Sequence, residues 1–195
     1  MDESLVVEAA NDLARCQEQL DANRSAAREL AARHDDRQLF WRPGPRSWSI
    51  AECFLHMEVV ARRYLEAIDL GIERARGRGL TGRAPFRHPW VSRWFVRSFE
   101  PPPRIRFPAP RQFLPPAPSP PFGPILHAFV RLGDDIARRI DAAGGLDLGR
   151  ARVVSPVTPA LRLSLGMAFA LLAVHERRHL YQATDVTRMP GFPAP

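Results

Sequence analysis

The stretch that decides the fold is residues 171–186, LLAVHERRHLYQATDV. An apolar run leads into His175 and His179, which are four positions apart and therefore share one face of a helix. Read literally, HERRH also matches H-E-x-x-H, the zinc-protease helix in which the glutamate activates water. The stretch therefore predicts a helix with two candidate metal ligands, and the kind of metal site has to be decided from the rest of the chain.

The residues around this motif do not support a zinc protease. The extended motif requires glycine and a third histidine where the chain has Gln182 and Asp185. No strand that could align a peptide is predicted. Glu176 follows His175 directly, so it points about 100° away around the helix. We therefore expect Glu176 to form a surface salt bridge, and we interpret the protease match as accidental.

Apolar residues at intervals of three or four predict four long helices. Ser49 and Glu52 form a capping box that begins the second of them, and Thr158 followed by proline predicts the start of the fourth. Alternation with a period of two is nearly absent, so we expect no sheet. The fold class is an all-α four-helix bundle in one domain, residues 1–195. Its helices are predicted at about residues 4–34, 49–73, 124–143 and 158–187.

A long crossover, residues 75–123, is predicted between the second and third helices. Eleven of the 20 prolines lie between Pro101 and Pro124, which excludes regular helix there. The surrounding segment is nevertheless rich in aromatic residues, unlike a disordered linker. We expect an extended chain with a short helix at 90–98, held on the body by its rings. Those rings are Trp90, Trp94, Phe95, Phe99, Phe107 and Phe113.

Composition favours a globular protein without a membrane segment. Hydrophobic residues make up 45% of the chain and charged residues 25%. The longest apolar run is too short to span a bilayer, and the acidic, polar start does not resemble a signal peptide. Two cysteines, Cys16 and Cys53, indicate reduced buried thiols and not a disulfide framework. We therefore expect a cytoplasmic protein with no membrane partner.

The net charge of +7 comes entirely from arginine, because the chain contains no lysine. That excludes Schiff-base lysine chemistry. The arginines alternate with acidic residues along helical faces, a pattern more typical of a solvated surface than of a phosphate-binding patch. No nucleic-acid partner is expected.

A third histidine, His56, lies within the apolar helix IAECFLHMEVV, residues 50–60. Imidazoles on an apolar helix face need a partner, and three of them entering a bundle interior from two helices form a credible metal-ligand set. The alternative is that His175 and His179 are half-buried side chains bonded to their neighbours. His34, His88 and His127 stand beside charged or loop residues and are interpreted as surface or hydrogen-bonded histidines.

Residues 41–65, WRPGPRSWSIAECFLHMEVVARRYL, and residues 171–186 together resemble the two signature helices of the DinB/YfiT-like superfamily, in its DinB_2-type branch. The first has the Trp-Ser entry, the glutamate and the single histidine; the second has the H-x-x-x-H pair followed by Gln182. The resemblance spans essentially the whole chain. It implies a four-helix bundle with up-down-down-up order that binds a divalent metal, zinc or nickel, through His56, His175 and His179.

The activities that the resemblance implies are transfer or isomerisation with a low-molecular-weight thiol cofactor, and metal-dependent hydrolysis, each on a small-molecule substrate. The alternative is a non-catalytic bundle of the stress-response type that binds metal or a small molecule. Glu52 could brace His56 from behind the ligands, although it could equally serve only as a cap. Gln182 could contact a ligand or a metal-bound water, and the alternative is a plain polar side chain. Trp48 is interpreted as fastening the start of the second helix to the core, and a homodimer is the candidate assembly.

Overall fold

A computed structural model describes residues 11–102 and 108–194. Within these residues the protein is mostly helical, with one small two-stranded sheet. The elements in chain order are α1 (Leu13–Ala32), α2 (Asp36–Leu39), α3 (Ile50–Gly77), α4 (Trp90–Arg97), a 3₁₀ turn (Arg111–Phe113), α5 (Gly123–Ala142), β1 (Arg152–Val154), β2 (Arg162–Ser164) and α6 (Leu165–Val186).

The capping box predicted for the second long helix is present at the start of α3. The Ser49 backbone N–H donates to the Glu52 carboxylate at 2.8 Å, and the Glu52 N–H donates to the Ser49 hydroxyl at 3.1 Å. The helix continues to Gly77, four residues beyond the predicted end at 73. The short helix predicted at 90–98 is confirmed as α4.

The first long helix, predicted at residues 4–34, can be followed only from residue 11, because residues 4–10 lie outside the described residues. Asn11 is helical, and a break at Asp12 precedes the long helix. Within the described part, Asp12 is extended and its carboxylate accepts a 2.9 Å hydrogen bond from the Ala14 N–H. An aspartate that satisfies the free amides of the first turn is a strong N-cap, so α1 begins at Leu13.

The absence of a sheet and the helix start at residue 158 were wrong predictions. Three residues of β1 pair antiparallel with three of β2, with Val153 opposite Leu163. Both side chains are fully buried, while strands of three residues are too short to show alternation in the sequence. Residues 162–164 therefore belong to β2, and α6 begins at Leu165 after the N-cap Ser164.

The most deeply buried helix is α6. Every residue from Leu165 to Glu176 is buried, as expected of a helix surrounded by other elements. α1 and α3 each pack against both α5 and α6, and α4 covers α6 and β2. Polar side chains on α6 therefore project into the protein interior. None of the helices in the described ranges is long and apolar enough to cross a membrane.

The aromatic residues of the crossover do not all hold it on the body. Phe113 is buried, and Phe95 and Phe99 are half-buried. Trp90 and Trp94, however, are 72% and 57% exposed. The prediction that these two rings anchor the segment was wrong, because α4 turns Ser92 and Val96 inward instead. Phe107 lies outside the described residues.

Candidate metal centre

Three imidazoles meet between α3 and α6. The ring centre of His56 lies 5.1 Å from that of His175 and 4.5 Å from that of His179, and the latter two rings are 4.5 Å apart. One nitrogen from each ring can be chosen so that all three lie within 4.8 Å of one another. The i, i+4 spacing brings the pair on α6 together, and α3 supplies the third ring from 119 residues earlier in the chain.

All three imidazoles are buried, with exposed fractions of 5% for His56 and 7% for each of the other two. Burial lowers the pKa of His56, because charged imidazolium is poorly solvated there. Burial also holds the pKa of His175 and His179 well below the ordinary value, and the neighbouring histidines and Arg178 lower it further. All three rings are therefore neutral at pH 7, which is the form that binds metal.

Two of the rings are oriented by a hydrogen bond at Nδ1. The His56 Nδ1 atom donates to the carbonyl oxygen of Phe113 at 2.7 Å. The His179 Nδ1 atom donates to Gln182 Oε1 at 3.0 Å. A neutral imidazole that donates from Nδ1 has its lone pair at Nε2. These contacts leave both Nε2 atoms as acceptors, which is the arrangement usual for metal-binding histidines.

Aromatic rings cover the histidines on two sides. The Trp48 ring centre lies 4.7 Å from that of His56 and 5.9 Å from that of His179. Phe99, just after α4, places its ring 6.1 Å from that of His175. The guanidinium of Arg178 stacks over Phe99 at 5.4 Å and donates to the Ser98 carbonyl. The surroundings of the cluster are therefore apolar and positively charged.

Glu176 is buried, so the predicted surface salt bridge was wrong. Its carboxylate accepts a 3.2 Å hydrogen bond from Asn23 on α1, and Asn23 also donates to the Ala173 carbonyl. Burial raises the pKa of Glu176 to about 8, although Asn23 and two arginines oppose the shift. Because Glu176 bonds to α1 while the histidines face α3, it does not occupy the place of the protease glutamate.

Glu52 is bonded to the start of its own helix. Its carboxylate accepts from the Ser49 N–H and lies 3.2 Å from the Nε atom of Arg42. The charge of this carboxylate is therefore balanced by Arg42 at the start of α3. The Nδ1 atom of His56 bonds to the Phe113 carbonyl and not to Glu52. Cys53 is fully buried, and burial raises the pKa of its thiol, so this cysteine is a core residue.

The remaining histidines lie outside the cluster. His34 bonds to the Leu30 carbonyl, His88 bonds to the Ser164 hydroxyl, and His127 is exposed. Sequence patterns missed three groups around the site: the Phe113 carbonyl, the Phe99 ring over His175, and Asn23 against Glu176. A backbone carbonyl has no side-chain signature, and the other two lie on distant elements. Only the helical period of α1 could have indicated Asn23 as a buried polar residue.

The three imidazole nitrogens suit a divalent transition metal. In the described part of the chain the cluster consists of histidines alone, and neutral imidazole nitrogen is a preferred ligand of zinc and nickel. The histidines of α3 and α6 could therefore hold such an ion.

Comparison with known proteins identifies a family. A family model described as "DinB superfamily" matches residues 19–183, a span that contains all three histidines, the whole of α3 and most of α6. No curated protein and no solved structure matches the chain. Because the matched residues cover most of the sequence, this chain belongs to the DinB superfamily.

Proposed function

We propose that the protein binds zinc or nickel through His56, His175 and His179 and transfers a low-molecular-weight thiol to a small electrophilic substrate. The new C–S bond replaces the bond from carbon to the leaving group, which departs as an anion, and the thiol proton passes to solvent. The observation that carries the proposal is the meeting of three buried, neutral imidazoles from two helices. A divalent ion at such a site supplies Lewis acidity, which makes water or a thiol a stronger nucleophile near neutral pH.

The residues around the histidines favour thiol transfer over hydrolysis. Hydrolysis is helped by a carboxylate that removes a proton from water. The three glutamates near the ligands in sequence are held elsewhere, Glu176 by Asn23, Glu58 by Arg62, and Glu52 by Ser49 and Arg42. A thiol has a much lower pKa than water and needs less help from a base. Metal-dependent hydrolysis is therefore the less favoured of the two reactions.

The protein's own groups orient the ligands and keep water away. The Phe113 carbonyl and Gln182 fix the rings of His56 and His179, while Trp48 covers these two rings and Phe99 covers that of His175. We propose that Glu52 acts on the site indirectly, by fixing the first turn of α3 one turn before His56. The excess of positive charge near Arg178 would favour an anionic thiol.

Metal analysis tests the proposal. Wild-type protein should purify with about one zinc or nickel ion per chain, and His56→Ala or His179→Ala should lose most of it. His127→Ala, which changes an exposed histidine on α5, is the matched control. Equal metal content in all four proteins would refute the site. Wild type should then consume an electrophile such as a haloarene in the presence of a small thiol, and the two site variants should not.

A non-catalytic binding bundle is the second candidate function. It is favoured by a groove of about 330 Å³ between α1 and α6, lined by residues that include Asn23, Leu30, Arg177 and Leu180. This groove lies on the α1 side of α6, whereas the histidines face α3. If small molecules bind there, Ala26→Trp should abolish binding because Ala26 lines the groove, and His179→Ala should leave binding unchanged.

For the fold, we propose that the four long helices follow the up-down-down-up order. The packing of both α1 and α3 against α5 and α6 supports it, as does the long connection between α3 and α5. A connection of this length allows two successive helices to run in the same direction.

A further inference from the structure

One face of α4 combines exposed tryptophan with arginine. The exposed fractions are 72% for Trp90, 57% for Trp94 and 42% for Val91, and Arg93 and Arg97 are also exposed. At about 100° per residue these five side chains form a continuous arc of roughly 160°. We call this arc the Trp–Arg face. The opposite side of the helix, with Ser92 and Val96, is buried as α4 packs on α6 and β2.

The segment that leads into this face contains no acidic residue before Glu100, whose carboxylate is paired with Arg177. From Arg74 to Phe99 there are seven arginines and neither aspartate nor glutamate. One carboxylate from another part of the chain, that of Asp147, lies close enough to this segment to act on His88. It accepts hydrogen bonds from the backbone N–H groups of Gly149 and Arg150. The local excess of positive charge is therefore much denser than the +7 of the whole chain implies.

We infer that the Trp–Arg face docks the protein on a membrane surface that contains anionic lipid. Tryptophan is favoured at the level of the lipid headgroups, where its ring is half in apolar surroundings and its N–H is in polar ones. Arginines beside it are attracted by the negative surface potential of anionic lipid. A short helix with an apolar and a basic edge, lying on a folded body, is suited to the interface and not to crossing it.

No membrane partner was expected, because the apolar runs are too short to span a bilayer and the start of the chain is polar. That reasoning did not consider docking on a membrane surface, and it was made with both tryptophans placed on the protein body, where the structure does not put them. Large apolar side chains side by side on a surface mark an interaction site more often than isolated ones do.

A second copy of the chain fits this face poorly. A symmetric dimer through the face would bring Arg93 and Arg97 of one copy against the same residues of the other, and like charges in contact are unfavourable. A single-stranded nucleic acid also fits less well. Such ligands usually lie in a groove with stacked bases, whereas the Trp–Arg face is the convex side of one helix and includes the aliphatic Val91.

Vesicle binding tests the inference on the full chain. The probes are phosphatidylcholine vesicles with and without about one third phosphatidylglycerol, in co-flotation at low salt. Wild type should float only with the anionic vesicles, and its tryptophan fluorescence should shift to shorter wavelength. Trp90→Ala/Trp94→Ala should weaken binding at least about tenfold and remove the shift. Arg93→Gln/Arg97→Gln should also weaken it and should reduce its dependence on salt.

Arg28→Gln/Arg131→Gln is the charge-matched control, because it removes two exposed arginines from α1 and α5. It should bind nearly as wild type does. The inference fails if wild type does not float, if the tryptophan variant binds equally well, or if the control loses as much as Arg93→Gln/Arg97→Gln. It also fails if wild type binds a short single-stranded oligonucleotide but no vesicle, or if the tryptophan variant changes only the oligomeric state. If every variant keeps the metal content of wild type, a loss of vesicle binding cannot be due to damage to the metal site of the proposed function.

Discussion

The Nδ1 atom of His56 lies 2.7 Å from the carbonyl oxygen of Phe113, a residue 57 positions later in the chain. Through this bond the proline-rich crossover becomes part of the candidate metal centre, because it fixes the orientation of His56 on α3. The Phe113 side chain is 2% exposed, and the guanidinium of Arg63 stacks over its ring at 5.6 Å. The position of the carbonyl therefore depends on the packing of this ring.

Phe113→Ala should weaken both the fold and the metal site. Loss of a buried phenylalanine side chain costs about 3–5 kcal/mol, and the released segment would no longer hold His56. Metal affinity should fall about 10–100-fold, as is common when the group behind a histidine ligand is lost. Denaturant unfolding and competition with a metal chelator measure the two effects. Phe113→Leu, which keeps most of the volume, should lose clearly less of each.

Gln182→Leu should lower metal affinity with little effect on stability. The change removes the acceptor for His179 Nδ1 at a half-buried position, so a loss of about 10–100-fold in affinity is expected. Gln182→Glu keeps an acceptor and should retain binding. Tyr181→Phe, at the exposed neighbouring position, should bind metal as wild type does. If Gln182→Leu also behaves as wild type, the bond to His179 has no role in metal binding.

The local signals in the sequence were sufficient to predict that His56, His175 and His179 lie together. Ser49 and Glu52 are a capping box because their spacing satisfies two amides at once, and the structure begins α3 there. The spacing of His175 and His179, together with one histidine in a second apolar helix, also predicted the cluster. These features depend on helix geometry, which is nearly constant from protein to protein.

Features that depend on distant contacts were not predictable in the same way. In the sequence, Glu176 looks like a surface residue because two arginines follow it. Its burial is compensated by a hydrogen bond from Asn23 on α1, a contact that the sequence does not show. β2 was included in the predicted fourth helix because its three residues gain strand structure only by pairing with β1. Trp90 and Trp94 resemble core residues by type, and their exposure follows from the rotation of α4 on the body.

Glu176→Ala should destabilise the protein without removing the metal. The substitution leaves a small cavity and removes a hydrogen-bond partner of Asn23, so a loss of about 1–3 kcal/mol in the free energy of unfolding is expected. Glu176→Gln retains an acceptor for Asn23 and should cost less. Both variants should purify with the metal content of wild type. Loss of metal in Glu176→Gln would place this residue in the site and would contradict the bond to α1.

His88 should make the fold sensitive to acid. Its Nδ1 atom is 2.8 Å from the hydroxyl of Ser164, the N-cap of α6. Burial, Arg152 and Arg93 lower the pKa of His88 to about 4, and Asp147 opposes them only in part. The unfolded chain binds a proton near pH 6.5, so it holds more protons than the folded chain between these values. The free energy of unfolding should therefore be fully maintained above about pH 6.5 and fall as the pH decreases toward 4.

Because solvent partly screens the half-buried ring, the expected size is on the order of 1 kcal/mol between pH 7 and pH 5, and His88→Asn should remove this part of the loss. Urea unfolding of both proteins at the two pH values measures the difference. The metal-centre histidines also titrate with lowered pKa values, but they are present in both proteins and cancel in the comparison. His127→Asn, at an exposed position, should keep the wild-type dependence. An equal loss in wild type and His88→Asn would show that protonation of His88 does not limit stability in acid.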